Sequence, residues 1–273
     1  MPHPSINADS IAPYSTSLGT SSATEIRLLG HDLANELMGK VSFGELAFWL
    51  VALRRPQPGE LRLFEAVLVA LADHGFTPTA LAARLTYLSA PESIQGAMAA
   101  GLLGGGSRFL GVTEDTGRFL STALASREGL PISETEWDDF ALSLVRTERA
   151  AGRIVPGLGH PNHKGGDPRT PIIFDIAADE GITGPHLALF AALGRVSERG
   201  LGKKLPLNGA GVCGAALADL GFPPDILRGF ALLARSAGLL GQISEEMRAP
   251  IANRIYMEVD RNAQYVSPPS DGT

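Results

Sequence analysis

The chain has 273 residues, enough for one large or two small domains with a buried core and no need of disulfide or metal staples. Its 23 Lys+Arg stand against 29 Asp+Glu, a net charge of −6, and only 19% of residues are charged; that excludes a broad basic face, so neither nucleic acid nor an anionic membrane is expected as a partner. The single Cys213 excludes an internal disulfide, and no run of residues approaches the roughly 18 apolar positions of a membrane span.

Residues 1–22 contain six serines and no Lys or Arg, so they lack the basic and apolar regions of a secretory signal and read as a disordered tail. A cytoplasmic protein is the expectation. From residue 23 to 262 the punctuation is helical. A helix is expected at about 26–38. Ser42-Phe-Gly-Glu45 has capping-box spacing and opens a helix through Leu46, Phe48, Trp49, Leu50 and Leu53, which Pro56 stops after Arg54-Arg55. Glu60 to His74 places Leu61, Phe64, Val67, Leu68 and Leu71 at helical spacing and ends at Gly75. Helices at about 78–88, 91–103 and 115–128 follow. Ser133-Glu-Thr-Glu136, a second capping box, opens 134–151. Further helices fit 171–180, 185–199, 208–220 and 225–247, separated by Gly/Pro breaks. Period-2 alternation is scarce, so the fold class expected is all-α. Residues 263–273 read as a disordered C-terminal tail.

Three segments are not explained by packing. Ala72-Asp-His-Gly-Phe-Thr-Pro-Thr79 sets an ionisable pair at a helix C-terminus. The loop from Arg153 to Arg169 is long and glycine-rich, and it carries His160, His163, Lys164, Asp167 and Arg169. Ala234-Arg-Ser-Ala-Gly238 puts an arginine inside an apolar helix.

Each admits two readings. The loop is either a solvated surface loop or one whose glycines let backbone approach a ligand while His160, Lys164 and Arg169 supply acid/base and anion-binding chemistry. His74 is either a simple C-cap or an imidazole that the helix dipole equips to meet a carboxylate or polarise an oxygen. Arg235, among Leu232, Leu233, Leu239 and Leu240, needs either an acidic neighbour or a substrate carboxylate. His160-Pro-Asn-His163 with Asp167 suggests a metal set, but Pro161 prevents a helical face and no cysteine helps, so no metal is expected.

Gly30-His-Asp-Leu33, Glu36 to Glu45, Asp73-His74-Gly75, Gly157-Leu-Gly-His160, Asp167-Pro-Arg169 and Ala234-Arg235-Ser-Ala-Gly238 occur in an order that resembles the citrate synthase superfamily, from about Leu29 to Tyr256. Gly101-Leu-Leu-Gly-Gly-Gly-Ser-Arg-Phe-Leu-Gly111 resembles citryl-CoA lyase and the lyase module of ATP-citrate lyase. The resemblance implies a multi-helix fold with a large and a small helical subdomain, the small one on the CoA side at roughly 150–220. It also implies a carbon–carbon lyase that cleaves citryl-CoA or a related 3-hydroxyacyl-CoA into an acyl-CoA and an oxo acid, with condensation as the reverse.

By the same resemblance, His160 serves the hydroxyl or ketone oxygen and His74 meets the oxo-acid end. Arg169 and Arg235 grip carboxylates, where a planar fork outperforms lysine. A third arginine, Arg248 or Arg254, comes from a partner subunit in a homodimer or higher homo-oligomer. Val155, Pro156, Gly157, Leu158, Gly159, Lys164 and Asn208 lie along CoA, which enters as a thioester substrate; no bound cofactor is implied.

One position departs from the family. Its carbon acid/base is an aspartate in an Asn-Val-Asp-like motif, and here Asn208-Gly-Ala210 places an alanine at that position. The nearest downstream carboxylate, Asp219, lies too far along the helix to substitute. Three readings follow: a lyase that takes its carbon proton from elsewhere, a different CoA-thioester reaction, and a catalytically impaired CoA-ester or dicarboxylate binder.

Overall fold

A computed structural model describes residues 14–160 and 163–268. Expectations for residues 1–13 and 269–273 of the two tails, and for Pro161-Asn162 of the loop, lie outside the described residues. The chain forms two compact units, Met1–Gln57 and Pro58–Thr273.

The first unit opens with a three-stranded antiparallel meander, β1 (Gly19–Ser21), β2 (Ile26–Leu28) and β3 (His31–Asp32). Gly19 faces Leu28, Ser21 faces Ile26, and Leu28 faces His31. This corrects two expectations. Residues 19–21 belong to a paired strand, and the helix expected over 26–38 is a hairpin followed by a short π-helix, Leu33–Leu37. The cause is the turn at Leu29-Gly30, where φ values of 53° and 82° place both residues in the left-handed region that a right-handed helix excludes. Asp32 then caps the π-helix by accepting from the Ala34 and Asn35 amides, and Glu36 reaches back to the Asp32 amide at 2.7 Å. Helix α1 (Phe43–Ala52) is capped by Ser42, which accepts from the Glu45 amide at 3.0 Å. Leu53 ends it in the left-handed conformation, and Arg54 and Arg55 fold back over the Phe48 and Trp49 rings.

The named elements of the second unit, among the described residues, are helices: α2 (Pro58–Ala72), α3 (Pro78–Ser89), α4 (Ile94–Leu103), α5 (Val112–Ala125), α6 (Glu134–Ala150), α7 (Arg169–Asp179), α8 (Pro185–Leu201), α9 (Gly209–Asp219), α10 (Pro224–Arg248) and α11 (Ala252–Arg261). Thr77 caps α3 and Ser133 caps α6, each accepting from the amide three residues on. Small residues set the closest approaches, as expected where backbones meet: α5 packs on α9, α3 on α4 and α6 on α8. Helix α11 is absent from the elements expected on sequence; its apolar Tyr256 and Val259 are exposed on a largely exposed helix.

Among the described residues, α10 is the one helix long and apolar enough to cross a bilayer, at 25 residues. It packs instead against α2, α3, α4, α5 and α9 and buries charged side chains, as a core helix does. Arg84 of α3 is fully buried against it, donating to Gln242 at 2.8 Å and Glu246 at 2.9 Å and also meeting Glu245. Gln242 in turn donates to Asp73 Oδ1 at 3.1 Å, so this network fixes the residue that precedes His74.

Candidate active site

A cavity of about 660 Å³ gathers all three segments that packing leaves unexplained. His74 and the turn into α3 form one wall, Ile154 to His160 another, and Arg169, Asn208, Ala210 and Arg235 close it from α7, α9 and α10. Residues 107–110 and Val112 add to the lining, and among them Leu110 holds a φ of 70°, a strained conformation for a branched side chain.

Local pairing holds the 157–159 wall. Gly159 N–H donates to Pro206 O at 2.7 Å, Asn208 N–H donates to Gly157 O at 2.9 Å, and Leu158 bridges Leu207. Asn208 then does two jobs with one amide group. Its Oδ1 accepts from Gly211 N–H at 2.8 Å, capping α9, while its Nδ2 donates to Gly159 O at 2.8 Å. Gly157 is obligatory: its φ is +82°, and a Cβ there would meet the Phe190 ring at 2.5 Å.

Asp167 and Arg169 form a closed pair. Asp167 Oδ1 accepts from Arg169 Nε at 2.9 Å and Oδ2 from Arg169 Nη2 at 2.7 Å, while Gly209 N–H donates to Oδ2 at 2.7 Å. Burial alone would raise the Asp167 carboxyl, but these hydrogen bonds outweigh it and hold the group far below the usual carboxylate range. Arg169 Nη1 also donates to Ala70 O at 3.0 Å, so its planar Nε edge is taken and only outward Nη hydrogens remain for a ligand. A Cβ on Gly209 would strike this guanidinium. Beneath it, burial pushes the Cys213 thiol up to about 12, so Cys213 is an inert core residue.

Arg235 differs. Its side chain is 5% exposed, and its Nε and Nη1 have no hydrogen-bond partner among the described residues. Asp73 Oδ1 stands 3.9 Å from Nη1, near enough to attract and too far to bond. Burial disfavours the charged guanidinium, Asp73 offsets this in part, and Arg169 adds repulsion. A buried cation with two vacant donors on a cavity wall is matched by an entering carboxylate.

Three imidazoles meet at one place, and two of them, His74 and His160, line the cavity. The ring centroids of His74 and His160 are 5.5 Å apart, those of His160 and His163 4.4 Å, and His74 Nε2 lies 3.4 Å from His163 Nε2. His163 N–H donates to His160 Nδ1 at 3.0 Å, so in the neutral His160 ring the hydrogen resides on Nε2. Burial first, then His163, His74 and Arg169, lower the His160 pKa against the pull of Asp167, favouring that neutral ring. The three rings offer nitrogens within 4.8 Å of one another, a spacing a metal ion accepts and one that the expectation of no metal did not foresee. The occupied Nδ1 opposes it, because a ligating Nε2 requires the hydrogen on Nδ1.

The sequence-expected residues His74, His160, Arg169, Arg235, Val155 to Gly159 and Asn208 therefore share one cavity. Lys164 does not line it; it borders a second, smaller pocket with Lys204 and Thr170. Arg254 is exposed on α11 and does not line either pocket, and Arg248 donates to Ser244 Oγ at 2.7 Å. Ala210 does line the main cavity and brings no ionisable group. The carboxylate among the lining residues is Asp115, 4.0 Å from Arg228, whose carboxyl is raised by burial. Neither Asp115 nor the His74–His163 contact is among the expected site features. Asp115 reads on sequence as a first-turn helix acid, and His163 had a signal only in its spacing from His160.

The family described as citrate synthase, C-terminal domain, matches residues 15–257. No curated protein is matched by the sequence. Among solved structures, citryl-CoA lyase from Hydrogenobacter thermophilus is 28% identical with a TM-score of 0.81, over 95% of this chain and 97% of that one. ATP citrate lyase from Methanothrix soehngenii, in complex with citrate and coenzyme A, is 22% identical with a TM-score of 0.75, over 96% of this chain and 43% of that one. Citrate synthase from Thermotoga maritima MSB8 is 17% identical with a TM-score of 0.65, over 85% and 59%.

Proposed function

The chain belongs to the citrate synthase family, and from that premise we propose that it is a carbon–carbon lyase that cleaves citryl-CoA, or a related 3-hydroxyacyl-CoA, into an acyl-CoA and an oxo acid. The likeness to a citryl-CoA lyase along nearly the full length of both chains supports this reaction over the others on the fold. The observation that carries it is Arg235: a buried guanidinium with two unused donors, on a cavity wall shared with two histidines, calls for a ligand carboxylate beside an ionising oxygen.

In this reading Arg235 binds a carboxylate of the oxo-acid half, and the outward hydrogens of Arg169 add a weaker grip. His160, neutral and hydrogenated on Nε2, donates to the substrate's tertiary oxygen and stabilises the negative charge that appears there as the hydroxyl proton leaves, before that charge passes into the thioester enolate as the C–C bond breaks. The base that takes the hydroxyl proton is then His74, in contact with His163. This moves the base from His160, where the resemblance alone puts it. The thioester half lies along Val155 to Gly159 and Asn208, and the departing enolate takes its carbon proton from water or from a group other than residue 210. The protein works in the cytoplasm as a homo-oligomer in which Arg254 of one chain serves the site of another.

Incubating the protein with citryl-CoA and its homologues and weighing the products by mass spectrometry tests this. Paired acyl-CoA and oxo-acid products support the lyase. Ala210 favours one second reading, a CoA-ester binder, which predicts heat on titration and intact thioester after long incubation.

A further inference from the structure

Away from the cavity, three polar side chains from three helices form a line. Asp219, at the end of α9, has a side chain 1% exposed, and its oxygens accept from the backbone amides of Gly184 at 3.1 Å, His186 at 2.9 Å and Leu187 at 2.9 Å. Those amides are the first turn of α8, whose N-terminus Asp219 therefore caps from outside. His186 Nδ1 lies 2.7 Å from Asp219 Oδ1, and His186 Nε2 lies 3.0 Å from Ser121 Oγ on α5.

The hydrogen-bond directions follow from the donors. Both Asp219 oxygens already receive N–H groups, so the carboxylate has acceptor capacity only, and His186 Nδ1 must donate to it. In the neutral ring this leaves the lone pair on Nε2, directed at the Ser121 hydroxyl. A serine O–H donating to an imidazole whose far nitrogen is held by a buried carboxylate is the arrangement that generates a nucleophilic oxygen.

We propose that Ser121, His186 and Asp219 form a second reactive site, at which Ser121 accepts an acyl group from small activated esters and thioesters. In this step Ser121 Oγ attacks the acyl carbon and its proton passes to His186 Nε2. The bond from the acyl carbon to the leaving phenolate or thiolate breaks, and the imidazolium returns its proton to that leaving group, giving an ester at Ser121. Deacylation is slow, for a chemical reason. The donor expels a phenolate or thiolate, whereas the ester formed on Ser121, inside α5, must expel a far more basic serine alkoxide. The site therefore labels once instead of turning over. His186, with its side chain 18% exposed, gives small donors a path.

The test uses the full-length protein with p-nitrophenyl acetate. The expected result is a burst of one nitrophenolate per chain, the mass of one acetyl group added to the intact protein, and that group mapped to Ser121. Ser121→Ala abolishes the burst, and His186→Gln, which keeps the backbone donor to Asp219, slows it by at least about 10²-fold, the usual worth of a positioned base. No burst in the wild type, a label on another residue, or equal labelling rates in wild type and His186→Gln overturns the proposal. None of these outcomes depends on citryl-CoA cleavage, since none of the three residues lines the cavity.

Discussion

The backbone amide of His163 donates to Nδ1 of His160 at 3.0 Å while the His163 ring touches His74, so one residue governs the hydrogen placement of the first histidine and the surroundings of the second. Replacing the side chain alone separates these effects. In His163→Ala the amide still sets the His160 ring, but the neighbouring imidazole that lowers the His160 pKa is gone. The acid limb of the kcat/KM profile for citryl-CoA cleavage should move to higher pH. An unmoved limb would show that His163 does not act on the reacting groups.

Arg235 should trade stability for function. Arg235→Met removes a buried cation whose Nε and Nη1 have no hydrogen-bond partner among the described residues and fills its volume with an apolar chain, so the free protein should melt at least about 2 °C higher. Cleavage should fall by about 10²-fold or more, the worth of a charged hydrogen-bond pair. A thermal scan beside a kinetic assay reads both, and a less stable or fully active variant counts against the assignment.

Asp167 sets a pH dependence of stability. Its pKa in the folded state lies far below the unfolded value of about 3.9. Its contribution is therefore fully present above that value and drains away as pH falls toward the folded one. Urea midpoints measured from pH 7 down to about pH 2 should fall less steeply in Asp167→Asn than in wild type, from a lower starting stability at pH 7. Parallel curves would mean the Arg169 clasp contributes little.

Ala210 lies in the first turn of α9, where the helix dipole favours a carboxylate, and it borders the cavity. Ala210→Asp should raise citryl-CoA cleavage, or hydrogen exchange at the acyl methyl group, by about 10²–10⁴-fold if positioned proton transfer at carbon is what the site lacks. A slower enzyme would place the carbon acid elsewhere, with Asp115 the next residue to replace.

Arg254 tests whether sites are shared between chains. Arg235→Met and Arg254→Ala should each be inactive alone. Mixed and reassembled, they should recover roughly a quarter of wild-type activity, because half of randomly formed dimers then hold one intact site of two. Failure to recover would confine the site to a single chain.

The sequence made much of this site legible for a physical reason: Arg235 among leucines and a histidine at a helix end are costly unless something pays for them. The hairpin at 26–32 was hidden because Leu29 adopts a conformation rare for leucine, which no periodicity signals. The Asp167 clasp was equally hidden, since its partner Gly209 lies 42 residues along the chain and donates through its backbone. The placement of the His160 hydrogen on Nε2, on which the proposed reassignment of the base to His74 rests, depends on a single amide, and amides leave no mark in side-chain pattern. The short π-helix was also hidden: Glu36 stands four residues after its cap, one more than capping-box spacing.

Asn208 and Gly209 tie the 157–159 wall and the Asp167–Arg169 clasp to the same turn of α9. The proposed thioester wall and the proposed anion site would thus share one mechanical root, and displacing one should displace the other. A lineage seeking a new acyl group has its freedom elsewhere, in the side chains of Ile154, Phe76 and Phe109, which line the cavity and take no part in that anchorage. Divergence in substrate range should accumulate at those three positions while the Asn208-Gly209 pair stays fixed.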